Sequence, residues 1–365
     1  MFTTPRAIAK TIGTAVSTLA VLSLAGNCAF AQPADISKQV DKIFTPLVTS
    51  KQIPGAAVAV ISGGKVLYKK GYGVTDLSEK SPMTTDAVFD LASVSNQFTA
   101  TSVLMLAQQG KLSLQDDIAK YLPELKDDDA PKPIRIIDML HMVSGLASYQ
   151  NAIDTYQGKT NKDALKAVAE LPLSFPTGSK YEYSNTDYSL LAILVSRVAK
   201  KPFGTFVKEN IFTPCGMESS FVLEKPVECA ERVTGYKKEG AKWVEDCDDT
   251  PGFVGDGSAF STIDDLIKYD LALRSGKLLN AESMKVLTTS GKLNNGSLTA
   301  YGCGWNVTDD HGHKLTWHDG SWNGTSTYFA RFQDKPTSII VLVNAVEQSA
   351  DDMGDKVADI LFPQE

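Results

Sequence analysis

Strand-forming sequence lies at the two ends of this chain, and the long stretch between them is patterned for helices. Ala56 to Ile61 and Val66 to Gly71 are strand-like runs joined by Ser62-Gly63-Gly64-Lys65, a hairpin turn by composition. Strand-like runs return only far down the chain, at Ala300–Val307, Lys314–His318, Thr325–Phe332 and Thr337–Asn344. Ahead of the first pair, Asp35 to Val48 sets Ile36, Val40, Ile43, Phe44 and Leu47 at helical spacing, and Asp351 to Leu361 closes the chain as a helix. Strands so distributed predict a sheet whose edges come from distant sequence, carrying a helical insertion.

Within the insertion, Ser93 to Gln109 reads as a helix with Phe98, Val103, Leu104, Leu106 and Ala107 as its apolar positions. Lys111 to Leu125 carries another short helix. A hairpin is expected at 232–245 around Gly240, and Ser261-Thr262-Ile263-Asp264 resembles a capping box opening a helix Asp265–Leu273. No repeat or low-complexity tract interrupts this order.

The first 31 residues read as a signal peptide. Arg6 and Lys10 start it, Ile12–Gly26 is an uncharged and largely apolar run, and Ala29-Phe30-Ala31 offers a small-x-small cleavage pattern before Gln32. The run is short and interrupted by Ser and Thr, which argues against a membrane span. Asn27 ahead of Cys28 argues against lipidation. A secreted or periplasmic mature chain of 334 residues, Gln32–Glu365, follows as the expectation, with no stable membrane span of its own. Loss of Arg6 and Lys10 moves the net charge from −7 to −9. No basic cluster stands out, so nucleic acid is a poor partner.

Export permits disulfides, and four cysteines remain after cleavage. Cys229 and Cys247 flank the 232–245 hairpin and form the candidate pair; Cys215 and Cys303 read as small buried hydrophobes. No spacing of cysteines with the four histidines resembles a zinc site, and no cofactor is implied.

Three stretches carry candidate chemistry. Ser93-Val94-Ser95-Asn96 opens a helix; residues three apart share a helix face, and the helix start offers unpaired N–H groups to a developing oxyanion. Tyr183-Ser184-Asn185 precedes the apolar run Leu190–Leu194. His318-Asp319-Gly320 ends a strand and runs into Ser321-Trp322-Asn323-Gly324. Taken singly, each has a plain structural explanation: an N-cap serine, an aromatic anchor followed by a cap, and a turn.

Together, in order and spacing, they resemble the motifs Ser-x-x-Lys, Tyr-x-Asn and Lys/His-x-Gly of the serine β-lactamase, DD-peptidase (penicillin-binding-protein-like) and family VIII esterase superfamily. The resemblance covers nearly the whole mature chain. It includes Pro54–Val60, Phe98–Ala100 through Gly110–Asp117, Leu140–Leu146, Pro176-Thr177-Gly178, Gly255-Asp256-Gly257 with Ser261-Thr262, and Tyr301-Gly302-Cys303-Gly304-Trp305. The implied fold is α/β (α+β), β-lactamase/transpeptidase-like. It is a single domain over 32–365, with an antiparallel sheet lobe from about 32–75 and 290–365, flanked by the terminal helices. A mainly helical lobe from about 76–289 completes it, with the active-site cleft between the lobes.

Carried over by position, the resemblance makes Ser93 the acylated nucleophile, Tyr183 a proton carrier and Asn185 an orienting group for the substrate amide or ester. His318 and Gly320 line the strand along which substrate lies, and the N–H groups of Ser93 and Ser321 form the oxyanion hole. The departure is at position 96, where the motif lysine is Asn96. Ser62-Gly63-Gly64-Lys65 matches Ser-x-x-Lys by letters only, being a turn. An amide takes no proton near neutral pH, and a positioned base is worth ~10²–10⁴ in rate. Two functions therefore stand: a serine hydrolase of impaired activity acting on an ester, a peptide or a β-lactam, and a catalytically silent homologue that binds a small-molecule or peptide ligand. His318 is not a permanent cation, which favours a simple ester or peptide over a β-lactam carboxylate. Oligomeric state is open.

Overall fold

Gly63 and Gly64 turn the first strand back on the second, and that hairpin seeds the main sheet. The computed structural model describes residues 33–125, 132–156, 158–224, 232–247 and 252–363. Its strands are β1 (Gly55–Ser62), β2 (Lys65–Gly73), β3 (Phe89–Asp90), β4 (Phe221–Val222), β5 (Tyr236–Glu239), β6 (Lys242–Glu245), β7 (Ala259–Ser261), β8 (Asn306–Asp310), β9 (His313–Trp322), β10 (Thr325–Phe332) and β11 (Thr337–Val343).

Six of them form one sheet in the order β2-β1-β11-β10-β9-β8, every pairing antiparallel. The early hairpin thus joins the late strands along β1 and β11, with Ala56 opposite Val343 and Ser62 opposite Thr337. The terminal helices Pro33–Thr49 and Ala350–Leu361 pack on this sheet, and helix Ile263–Arg274 packs against β1 and β11. Strands β1, β10 and β11 are consequently buried at every position; β1 and most of β11 read as continuous apolar runs, while β10 buries Thr325, Ser326, Thr327 and Arg331 as well.

A buried charge cluster ties helix Ile263–Arg274 to the sheet. Asp270 accepts from Arg331 Nε at 2.7 Å, from Ser338 Oγ at 2.9 Å and from Arg274 Nε at 3.0 Å. Asp270 and Arg331 are fully enclosed, and the Arg331 guanidinium also lies 5.5 Å from the Trp305 ring centre. Paired this way the charges are tolerated; stripped of a partner, either would be a large penalty.

Four expectations on local structure are corrected. The short helix expected within Lys111–Leu125 is two 3₁₀ turns rather than an α-helix, Ile118–Lys120 and Pro123–Leu125, the first capped by the Asp117 carboxylate on Ala119 N–H. Residues 300–305 are not strand: Tyr301 makes a single bridge to Asn306, and β8 starts only there. The helix expected from Asp265 begins at Ile263, capped by Thr262 accepting from Asp265 N–H, while Ser261 sits in β7 and bonds Ser220. The hairpin expected from Arg232 starts at Tyr236. Cys215, Cys247 and Cys303 are free thiols, Cys303 buried and Cys215 half-buried; Cys229 lies outside the described residues.

Candidate active site

Ser93 is set by the short strand before it. Phe89-Asp90 pairs with β7, Leu91 N–H reaches Ala259 O at 2.9 Å, and the Leu91 carbonyl accepts from Thr327 Oγ1 on β10 at 2.9 Å. Ala92 then adopts φ +47°, a left-handed conformation that costs an L-residue roughly 1–3 kcal/mol and occurs where a fold over-determines it. The Asp90 carboxylate accepts its N–H at 2.8 Å. The chain turns sharply there into the 3₁₀ turn Ala92–Ser95 and helix Asn96–Gln108, leaving Ser93 half-buried at the start.

Gly320 lets β9 approach that turn. A Cβ on it would meet Thr327 Oγ1 at 2.5 Å, Leu91 O at 2.6 Å and Ala92 Cβ at 3.0 Å. β8 pairs with β9 only as far as Trp317, so the edge of β9 beyond it is open. In the two-residue hairpin Trp322 pairs with Thr325, and hydrogen-bonded and non-bonded pairs alternate from there. Ser321 falls on a non-bonded position against β10, so its N–H points to the open edge. Ser93 N–H, in the first helical turn, has no acceptor within the helix by geometry. Two backbone donors are thus available to an oxyanion beside Ser93.

Asn96 stands at the centre of the polar contacts. Its Nδ2 donates to the Tyr183 hydroxyl at 2.9 Å and lies 3.3 Å from His318 Nε2. The histidine tautomer fixes these directions. His318 Nδ1 is 2.6 Å from the Asp319 carbonyl, which can only accept, so Nδ1 carries the proton and Nε2 is a bare acceptor. Nε2 takes hydrogen bonds from Tyr301 Oη at 3.0 Å and from Asn96. A reversed Asn96 amide would aim Oδ1 at that lone pair, so the nitrogen must face it. Burial holds the His318 imidazole below its ordinary pKa, consistent with the neutral form.

Burial raises the Tyr183 phenol above the usual tyrosine value, while hydrogen bonds with Ser93 and Asn96 pull the other way. Tyr183 is 43% exposed over the whole residue; the crowding is at the hydroxyl, held between Ser93, Asn96 and the negative field of Asp256 and Asp319. The arrangement gathers a hydroxyl nucleophile, a phenol within reach of it and two oxyanion donors, with no group among Asn96, Tyr183 and His318 that carries a positive charge.

Ser93, Asn96, Tyr183, His318, Gly320 and Ser321 come together around one cleft, the grouping that the resemblance implies. Asn185 lines the same cavity, its Nδ2 donating to Gln150 Oε1 at 3.0 Å; Ser184, not Asn185, caps the helix Asn185–Ala199. The His318 ring is 1% exposed and lies under the strand among Asn96 and Tyr301, so β9 offers the cleft its backbone edge. Three participants escaped the sequence reading. Tyr301 and Asp256 stood in recognised landmarks without a role, and Tyr149, whose hydroxyl donates to Asp256 at 2.6 Å across 107 positions of chain, carried no local signal.

Comparison with known proteins agrees with this geometry. The Beta-lactamase family model matches residues 40–362. Penicillin-binding protein 4* of Bacillus subtilis (strain 168) is 28% identical over 333 residues, 86% of this chain and 72% of that protein. Protein flp of Staphylococcus aureus (strain N315) is 27% identical over 324 residues, 85% of this chain but only 63% of flp. Among solved structures, the octameric penicillin-binding protein homologue from Pyrococcus abyssi superposes with a TM-score of 0.79 at 23% identity, covering 91% of this chain and 78% of that one.

Proposed function

The chain belongs to the Beta-lactamase family, and from that premise we propose that it is an exported serine hydrolase whose acylation step is slowed by Asn96. Ser93 Oγ adds to the carbonyl of an ester, an amide of the D-amino-acid peptide kind or a β-lactam, and its proton passes to Tyr183 in its phenolate form, which burial makes scarce. The phenol returns a proton to the departing alcohol or amine, leaving the acyl group on Ser93. Water then reverses the sequence. The N–H groups of Ser93 and Ser321 hold the oxyanion, and Asn185 exchanges Gln150 for the substrate carbonyl.

The observation that carries this reading is the hydrogen bond from Asn96 Nδ2 to the Tyr183 hydroxyl at 2.9 Å. A nitrogen donor stands one helical turn from Ser93 and against Tyr183, where the family's lysine belongs, but it is an amide. It can steady a phenolate by one hydrogen bond and can neither accept a proton nor supply charge. The same fact favours a second reading, a catalytically silent homologue that binds a small molecule or peptide in the cleft. Removal of residues 1–31 before Gln32 and a single working domain over 32–365 belong to the proposal. The test is turnover of an activated ester by the unaltered protein and by Ser93→Ala. Slow hydrolysis lost in Ser93→Ala supports the hydrolase; equal rates for both favour the binding protein.

A further inference from the structure

Beside Ser93 opens a cavity of about 200 Å³ with an unusual wall. Tyr149 stacks on Phe253 with ring centres 4.5 Å apart, and Tyr156 meets both edge-on, at 6.3 Å and 5.5 Å. Trp322 lines it as well. Among these rings lies Asp256, 7% exposed, with Oδ2 accepting from Tyr149 Oη at 2.6 Å and the backbone N–H groups of Asp256 and Gly257 also drawn to its carboxylate. Among the described residues no lysine or arginine lines the cavity.

A buried carboxylate with no cationic side chain on the cavity lining is costly by itself. Three kinds of ligand group could complete it: a neutral donor, a metal ion or an ammonium. No cluster of three or more His, Cys, Asp or Glu able to hold a metal exists among the described residues. The aromatic faces decide between the other two, because rings attract a cation over and above any hydrogen bond and give a neutral hydroxyl no such bonus. An anion, such as a ligand carboxylate, would meet the field of Asp256 with no counter-charge on the lining.

We propose that this cavity is the subsite for a protonated primary or secondary amine on the acyl substrate, with Asp256 as its counter-ion and the rings of Tyr149, Tyr156, Phe253 and Trp322 as its walls. The substrate class is then an amine-bearing ester or amide with an apolar or aromatic side chain, rather than a carboxylate-bearing β-lactam. This rests on the reading that the Ser93 cleft receives an acyl compound. Burial has lifted the Asp256 carboxyl to about 7, so an arriving ammonium also favours the ionised form that burial disfavours.

The test uses ligands with no carbonyl, so that it does not depend on hydrolysis. In slightly alkaline buffer the full chain is titrated with 2-phenylethylammonium and with 2-phenylethanol, followed by calorimetry or ligand-observed NMR. The ammonium should bind at least ~10-fold more tightly than the alcohol, the size expected of a charge-assisted hydrogen bond in a poorly hydrated site. In Asp256→Asn that preference should vanish while the alcohol still binds. Tyr149→Phe, which keeps the carboxylate and frees its second oxygen, should retain the preference and serves if the first variant does not fold. Equal affinity for the two ligands in the unaltered protein, or a preference surviving Asp256→Asn, overturns the proposal, as does its loss in a folded Tyr149→Phe. Failure of Ser93 to take an acyl group from any activated ester would instead count against the hydrolase reading and leaves the binding result standing on its own terms.

Discussion

Replacing Asn96 by Lys should raise hydrolysis of an activated ester or of nitrocefin by ~10²–10⁴. The amide nitrogen now lies 2.9 Å from the Tyr183 hydroxyl and 3.3 Å from His318 Nε2, so the neighbours already accept a donor at this point. A unit positive charge ~3 Å from a phenolate oxygen is worth about 5 kcal/mol at an effective dielectric near 20, or about 4 pKa units. That would offset the rise that burial imposes on Tyr183. Asn96 is fully enclosed, so desolvation of the new ammonium takes back part of the gain, and the expected range is set accordingly. The assay is a progress curve on each substrate beside a thermal melt of the same preparation, with Ser93→Ala in the Lys background returning the rate to baseline. An Asn96→Lys protein that melts normally and gains nothing on esters, amides and β-lactams would refute the electrostatic reasoning. Brisk Ser93-dependent turnover by the unaltered protein would refute it too, by revealing another base.

Gly320→Ala should lower both stability, by about 1–3 kcal/mol in urea unfolding, and acylation of Ser93, because the added Cβ would sit 2.6 Å from Leu91 O and push β9 off the turn. Asp270→Ala should cost about 3–5 kcal/mol, since Arg331 is left buried and unpaired; a loss under ~1 kcal/mol in chemical denaturation would contradict the account of that cluster. Burial pushes the folded-state pKa of Asp256 up to about 7, above the ordinary carboxylate value of 3.8. Its neutral form therefore favours folding below the unfolded pKa, and this contribution is lost as pH rises through the folded value. The stability difference between the unaltered protein and Asp256→Asn should shift against the unaltered protein across that window, by up to about 4 kcal/mol. A difference that is flat with pH would contradict it.

What the sequence made legible follows from how local each signal is. Ser93 and Asn96 are one helical turn apart, so their shared face could be read directly, and the β1–β2 hairpin announced itself through Gly63-Gly64. That both ends of the chain share one sheet was legible from strands confined to the two ends, whereas the neighbouring of β1 and β11 within it was not. Harder were positions decided by distant partners. Tyr301 looked like part of a strand because aromatic and apolar residues surround it, yet Gly302 and Gly304 belong to a loop, and its hydroxyl is spent on His318. Asp256 lies in a Gly-Asp-Gly turn, where an aspartate is ordinarily solvated; its burial depends on Tyr149, Tyr156 and Phe253, none of which its local pattern names. His318 was expected to line the strand along which substrate lies, and the direction of its ring, buried beside Asn96 and Tyr301, was not legible locally.

The central claim, that Ser93 is an acyl acceptor working without a proton-accepting partner at position 96, is tested most directly by the mass of the protein itself. The full chain is mixed with a reactive acyl donor, its intact mass is followed over time, and the adduct is located by peptide mapping. The account predicts one acyl group, on the peptide containing Ser93, that accumulates slowly, decays slowly, and forms markedly faster in Asn96→Lys. No adduct on Ser93 in either protein, or an adduct that forms at the same rate in both, would contradict it.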